Sequence, residues 1–151
     1  MGLRSKFRAE IRKHTYGKQA FDLAAEGKFQ EALELIDQGG NVNYTADYGF
    51  TGSQNGHPAS GSATCNMGFI AIEKGNNDAL KELLKRHLDP NGVSREGGFR
   101  LVPAAITLPP TMLILAIHLH NQQAIDLLVK AGARTDMKPI QGYARKNGMS
   151  L

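Results

Sequence analysis

The clearest hydrophobic pattern in the chain lies in residues 111–136, TMLILAIHLHNQQAIDLLVKAGARTD, where Leu113, Ile114, Ala116 and Ile117 recur at helical spacing. Pro109 and Pro110 disfavour helix before this stretch, and the Thr111 hydroxyl can accept a hydrogen bond from a free amide of the next turn, which predicts a helix start there. A second helix is predicted after Asn121, with Ala124, Ile125, Leu127, Leu128 and Ala131 on its apolar side and Gln122, Gln123, Asp126 and Lys130 towards water. Gly132 can take the left-handed conformation that ends it. Two short helices joined by a tight turn cannot bury a shared apolar face alone, so the pattern calls for neighbours of the same kind.

The chain supplies them. Residues 115–136 align without a gap over residues 70–91, placing Ala71 on Ala116, Ala79 on Ala124, Leu80 on Ile125 and Leu84 on Val129. A third copy, residues 23–43, fits with one residue missing in its first helix and keeps the second-helix pattern through Ala32, Leu33, Leu35 and Ile36.

These stretches resemble the ankyrin repeat family, whose pattern of TPLHLAA, a turn with Gly, a second helix ending LLL and then AGADVN is visible as TMLILAI with LLVKAGARTD and as LAAEGK with ALELIDQGGNVN. KPIQGYARKNG, residues 138–148, looks like the first helix of an incomplete fourth repeat, with Ile140 and Tyr143 as an apolar edge that another subunit can cover. The resemblance implies an all-α helical-repeat solenoid of three helix pairs. Its predicted parts are a basic cap helix (1–18), repeats at 19–43, 66–91 and 111–136, insertions at 44–65 and 92–110, and a partial repeat at 137–151. Three departures stand out. His120 occupies the usual turn glycine, Gly68 replaces an apolar residue, and the copies are spaced 47 and 45 residues apart against about 33 for an ordinary repeat. Both connections are therefore enlarged, and long connections in compact domains are commonly functional.

Charge changes the picture at one end only. The net charge is +4, but residues 1–18 hold six basic side chains against Glu10, so the rest of the chain is close to neutral. Leu3, Phe7 and Ile11 recur every four residues there, predicting an amphipathic helix flanked by Arg4, Arg8, Arg12 and Lys13. Its expected role is to cap the first repeat; the alternative is an anionic-surface arm for membrane or nucleic acid, built on Arg4, Lys6, Arg8, Arg12 and Lys13. MGLRSK is a near miss for N-myristoylation, with Lys6 where the motif wants Ser or Thr.

The first insertion, rich in Gly, Ser, Thr and Asn, is not expected to be helical, and alternate residues from Tyr44 to Phe50 suit a short extended finger. Its aromatics Tyr44, Tyr48 and Phe50 have two readings of equal weight: partner contacts, or packing over the gap left by Gly68. The second insertion carries Arg95, Phe99 and Arg100 around a Gly97–Gly98 hinge, followed by an apolar run containing Val102, Ile106 and Leu108. Cys65, at the expected start of a helix, reads first as a small buried residue; with His57 eight residues before it, it also forms a conceivable nucleophile and base, without any local signature of a cysteine enzyme.

No phosphate-binding loop, dinucleotide fingerprint or zinc-protease histidine pair occurs, and His118 and His120, two residues apart, point to different sides of a helix. No cofactor or metal is expected. The apolar runs fall short of the roughly 20 residues that span a bilayer, and the basic N-terminus lacks the apolar segment of a secretory signal. The expectation is a cytoplasmic, non-enzymatic protein-interaction module, in host cytoplasm if the chain is a secreted effector or host-mimic. What the resemblance implies is partner recognition through the concave helix face and projecting loops, using Tyr44, Tyr48, Phe50, Lys74, Arg95, Phe99, Arg100 and His118.

Overall fold

The computed structural model describes residues 2–54, 56–91, 100–102, 112–136, 138–149 and 151. The helices fall into pairs: α1 (Leu3–Ala25) with α2 (Phe29–Asp37), α3 (Met67–Glu73) with α4 (Asn77–Lys85), and α5 (Met112–His118) with α6 (Gln122–Lys130), followed by a single α7 (Lys138–Lys146). First helices stack α1 on α3 on α5 on α7, and second helices stack α2 on α4 on α6. Between the pairs lie strands β1 (Ala46–Gln54), β2 (His57–Cys65) and β3 (Arg100–Val102).

The expected all-α solenoid is therefore wrong. The fold is mixed α/β, with seven helices and an antiparallel sheet of order β1-β2-β3 among the described residues. The two insertions pair with each other: β1 and β2 form a hairpin from Ala46↔Cys65 to Gln54↔His57, and Ser60–Ser62 pair with Val102–Arg100 of the second insertion. The physical reason is that long connections must satisfy their own backbone groups, and two that leave adjacent units of one stack can do so as a ladder. The boundary drawn at residue 18 falls inside α1, which runs unbroken from residue 3 to residue 25.

Each pair is closed by turns with positive φ at equivalent places. Gly27 (φ 84°), Gly75 (φ 72°) and His120 (φ 53°) follow the first helices; Gly39 (φ 112°), His87 (φ 69°) and Gly132 (φ 101°) follow the second. Asn76 and Asn121 cap α4 and α6 by accepting from the amides of Ala79 and Ala124, at 3.0 and 3.1 Å. The Asn121 and Asn77 side-chain amides exchange hydrogen bonds of 2.9 and 3.1 Å, so the capping residue of one pair is also a tie to the previous pair.

A second tie repeats beyond the second helices. Asn43 accepts from the Asp89 amide at 2.7 Å and donates to the His87 carbonyl at 3.3 Å, and Asn91 does the same with the Arg134 amide (2.8 Å) and the Gly132 carbonyl (3.3 Å). His87→Gly keeps these backbone partners and removes the left-handed strain of an L residue, worth roughly 1–2 kcal/mol. Glycine's greater freedom in the unfolded chain offsets roughly 0.4–1 kcal/mol of that. The expected net gain is about 0.5 kcal/mol, read as a raised midpoint in chemical denaturation.

Outer helices are joined by Arg86, which binds both oxygens of Asp37 on α2 (2.7 and 3.0 Å) and Glu82 on α4 (3.0 Å). Hydrogen bonds from Arg86 hold the carboxyls of Asp37 and Glu82 below the usual carboxylate range. A lowered native pKa means stability that is complete above the unfolded value, about pH 4, and lost as pH falls through the native one. Arg86→Gln is thus expected to flatten the stability profile in that acid window, measured by urea unfolding at stepped pH.

The core is continuous along the stack. Met67 to Ile72 of α3 and Met112 to Ile117 of α5 are buried on every side, since a short first helix in mid-stack has neighbours before, after and behind it. On α6 the buried side is Ala124, Ile125 and Leu128; Leu127 is only half-buried and Ala131, expected inside, is exposed. Ile140 and Ala144 of α7 are buried and Tyr143 is half-buried, so the apolar edge expected there is closed within the chain, α7 lying on α5. The predicted cap at Thr111 lies outside the described residues.

Candidate functional site

The hairpin sits where the sequence placed a binding finger, and its alternation decides what it presents. Ala46, Tyr48 and Phe50 face inward, while Asp47, Gly49 and Thr51 are exposed. Across the ladder Phe50 stands opposite Gly61 and Tyr48 opposite Ala63, so the two aromatics of one strand meet small residues on the other, while Ala46 stands opposite Cys65. Phe50, 5% exposed, meets Phe69 of α3 edge-to-face at 5.6 Å and stacks on Tyr48 at 6.0 Å. The Tyr48 hydroxyl donates to Glu73 Oε2 at 2.7 Å; burial first, and then the carboxylate, push its pKa up.

Three of the expected partner contacts are therefore internal packing. Tyr44 is half-buried, its ring edge-on to His14 (5.6 Å) and Phe21 (5.8 Å), and Tyr48 and Phe50 bind the hairpin to α3. They do not fill the gap at Gly68. A Cβ there would lie 2.5 Å from Leu88 Cδ2 and 2.6 Å from Met112 Sδ, so the turn after α4 and the start of α5 occupy that space. The hairpin also covers α3, whose residues Met67 to Ile72 are withdrawn from any concave face.

Of the other candidates, Lys74 is exposed in the turn after α3, beside the Tyr48 anchor residue Glu73. His118 is half-buried, its Nδ1 2.7 Å from the Tyr143 hydroxyl with the rings stacked, which ties α5 to α7. Arg100 opens β3, its backbone opposite Ser62. Arg95 and Phe99 lie outside the described residues, as do Gly97, Gly98, Ile106 and Leu108. Sequence reasoning missed the outward set Asp47, Gly49 and Thr51 and the place of β1 at the edge of the sheet formed by the described residues. A signal was present. Asn55 and Gly56, the two residues between paired Gln54 and His57, are a hairpin-turn dipeptide, and Gly56 has φ 77°.

Cys65 ends β2 instead of starting a helix, and Asn66 takes the capping role on α3, accepting from the Phe69 amide at 3.3 Å. The thiol is 3% exposed, and burial, reinforced by Asp47 and Glu73, pushes its pKa up to about 12. His57 is at the other end of the same strand, eight residues away, or about 26 Å along an extended chain. The two residues are not brought together. Among the described residues no group of three His, Cys, Asp or Glu converges as a metal site would require.

The basic residues Arg4, Lys6, Arg8, Arg12 and Lys13 are all exposed on α1. Leu3, Phe7 and Ile11 are exposed beside them, and the side of α1 that the stack buries is made by Gly17, Ala20, Phe21 and Ala24. Among the described residues no helix is long and apolar enough to cross a membrane. No protein-family model matches the chain, and no curated protein matches it.

Proposed function

We propose that the chain is a protein-binding module without catalytic activity, an ankyrin-like array whose enlarged connections are joined into a rigid platform for a protein partner. The observation that carries this reading is the one-sided anchoring of β1. Tyr48 and Phe50 fix its inner face to α3 through Glu73 and Phe69, while Asp47, Gly49 and Thr51 face outward. A strand held this way has lost its conformational freedom before any partner arrives, so less ordering entropy opposes binding. Its outer edge suits an extended peptide adding as a further strand, with main-chain hydrogen bonds supplying affinity.

The contact set is then the outward residues of β1, together with Lys74 at the adjoining turn. Tyr44, Tyr48 and Phe50 support the platform from beneath. A peptide-display selection on the full chain tests this, followed by affinity measurements on Thr51→Arg and Lys74→Glu. Both positions are exposed, so unchanged melting curves are expected alongside a loss of affinity of about tenfold or more. Selected peptides that bind both variants as tightly as the parent chain would place the interaction elsewhere.

A further inference from the structure

We propose that the overhanging half of α1 docks on an anionic lipid surface. Contact between α1 and the stack begins near its middle. The Lys13 carbonyl accepts from the Asn41 amide at 2.9 Å, Tyr16 lies against Gly40, and Gly17 leaves room for Asn41, a Cβ there falling 3.1 Å from it. Residues 3–11 lie before these contacts as continuous helix, an overhang of about 13 Å at the usual rise per residue.

The overhang carries the largest apolar exposures of the described residues. Leu3 is 85% exposed, Phe7 67% and Ile11 50%, and their spacing of four puts them along one side of the helix. Arg4, Arg8 and Arg12 border that line on one side and Lys6 on the other, where Glu10, the one acidic residue of the segment, also lies. Charge decides between possible occupants. A second copy of α1 laid along this line would bring two basic flanks together, and like charges at short range oppose it. A nucleic acid would engage the flanks but leave the row of Leu, Phe and Ile without a use.

A bilayer interface uses both features. Apolar side chains enter the headgroup boundary, while Lys and Arg stretch towards anionic headgroups. Three apolar residues give a shallow, reversible attachment that depends on anionic lipid. Because α1 continues into the stack through Gly17, Ala20, Phe21 and Ala24, a docked overhang would hold the repeats and the hairpin platform at the surface as one body.

The test is sedimentation of the full chain with vesicles of phosphatidylcholine alone and of phosphatidylcholine and phosphatidylserine in equal parts, with a DNA duplex as a separate arm. Pelleting is expected with the mixed vesicles only, declining as salt is raised. Phe7→Ser should weaken it about tenfold, and Lys6→Glu with Arg8→Glu by at least as much. All three side chains are exposed, so circular-dichroism melts should coincide with that of the parent. The chain has no Trp, so Leu3→Trp adds a single reporter whose emission should shift to the blue on mixed vesicles. Absence of that shift, pelleting indifferent to Phe7→Ser, or binding to the duplex without binding to mixed vesicles would each overturn the proposal.

Discussion

Phe50→Ala is expected to lower the free energy of unfolding by about 3 kcal/mol, the low end of the range for truncating a buried phenylalanine. The side chain is 5% exposed and meets Phe69, itself 1% exposed, edge-to-face while stacking on Tyr48. Opposite it stands Gly61, with no side chain to close the space that truncation would leave. The low end applies because a hairpin at the margin of the stack can settle inward further than a mid-core helix can. The loss should be local in character. Amide exchange should accelerate through β1 and β2 well before it does in α5 and α6, because this contact and the Tyr48–Glu73 hydrogen bond both tie the hairpin to α3. Chemical denaturation with exchange read by mass spectrometry gives both quantities. Superimposable unfolding curves would return Phe50 to the role of a surface contact.

That residue also shows how far the sequence can be read. Alternation from Tyr44 to Phe50 gave an extended segment, but which face is covered depends on α3, and nothing local to the insertion specifies it. The partner strand, HPASGSATC, is made of small and polar residues with little strand preference of their own. Its place in the sheet comes from the Asn-Gly turn, from aromatics on the neighbouring strand and from a third strand forty or so residues later in the chain. Such non-local pairing is why an all-α expectation failed for a chain whose helices were legible. Those helices announce themselves locally, by apolar spacing and by residues such as Asn121 and Gly132 at their ends.

The basic segment divides in the same way. Its period of four is a local property and emerged as helix, whereas the idea that Leu3, Phe7 and Ile11 would cover the first repeat required a geometry that α1 does not adopt. The conceivable pairing of Cys65 with His57 fails for a related reason. The residue capping α3 is Asn66, one position later, and the thiol falls at the inward-facing end of a strand, where burial favours its neutral form.

Gly68→Leu is expected to cost about 3 kcal/mol, the upper end of the range for forcing extra carbon into a packed core. The sequence exposes a missing side chain at this position but not what replaces it. In the structure the space belongs to Leu88, in the turn after α4 of the same helix pair, and to Met112, at the start of α5 in the next pair, so the glycine lets both close over α3. A single added carbon would already lie 2.5 Å from Leu88 Cδ2 and 2.6 Å from Met112 Sδ. Both belong to side chains that can turn aside, and alanine gains roughly 0.5–1 kcal/mol over glycine in a helix, so Gly68→Ala should fall within about 1 kcal/mol of the parent. Leucine needs more room than those turns yield, because Leu88 and Met112 are themselves enclosed, 3% and 1% exposed. The mechanism makes a further demand. Met112→Ala, destabilising in the parent by about 2 kcal/mol or more, should cost at least 1 kcal/mol less in the Gly68→Leu background, since it vacates the volume the leucine needs. A double-mutant cycle by urea denaturation measures this coupling. Strict additivity would mean that Met112 is not what closes the gap, and that the stack tolerates bulk at Gly68 by moving α3 as a whole.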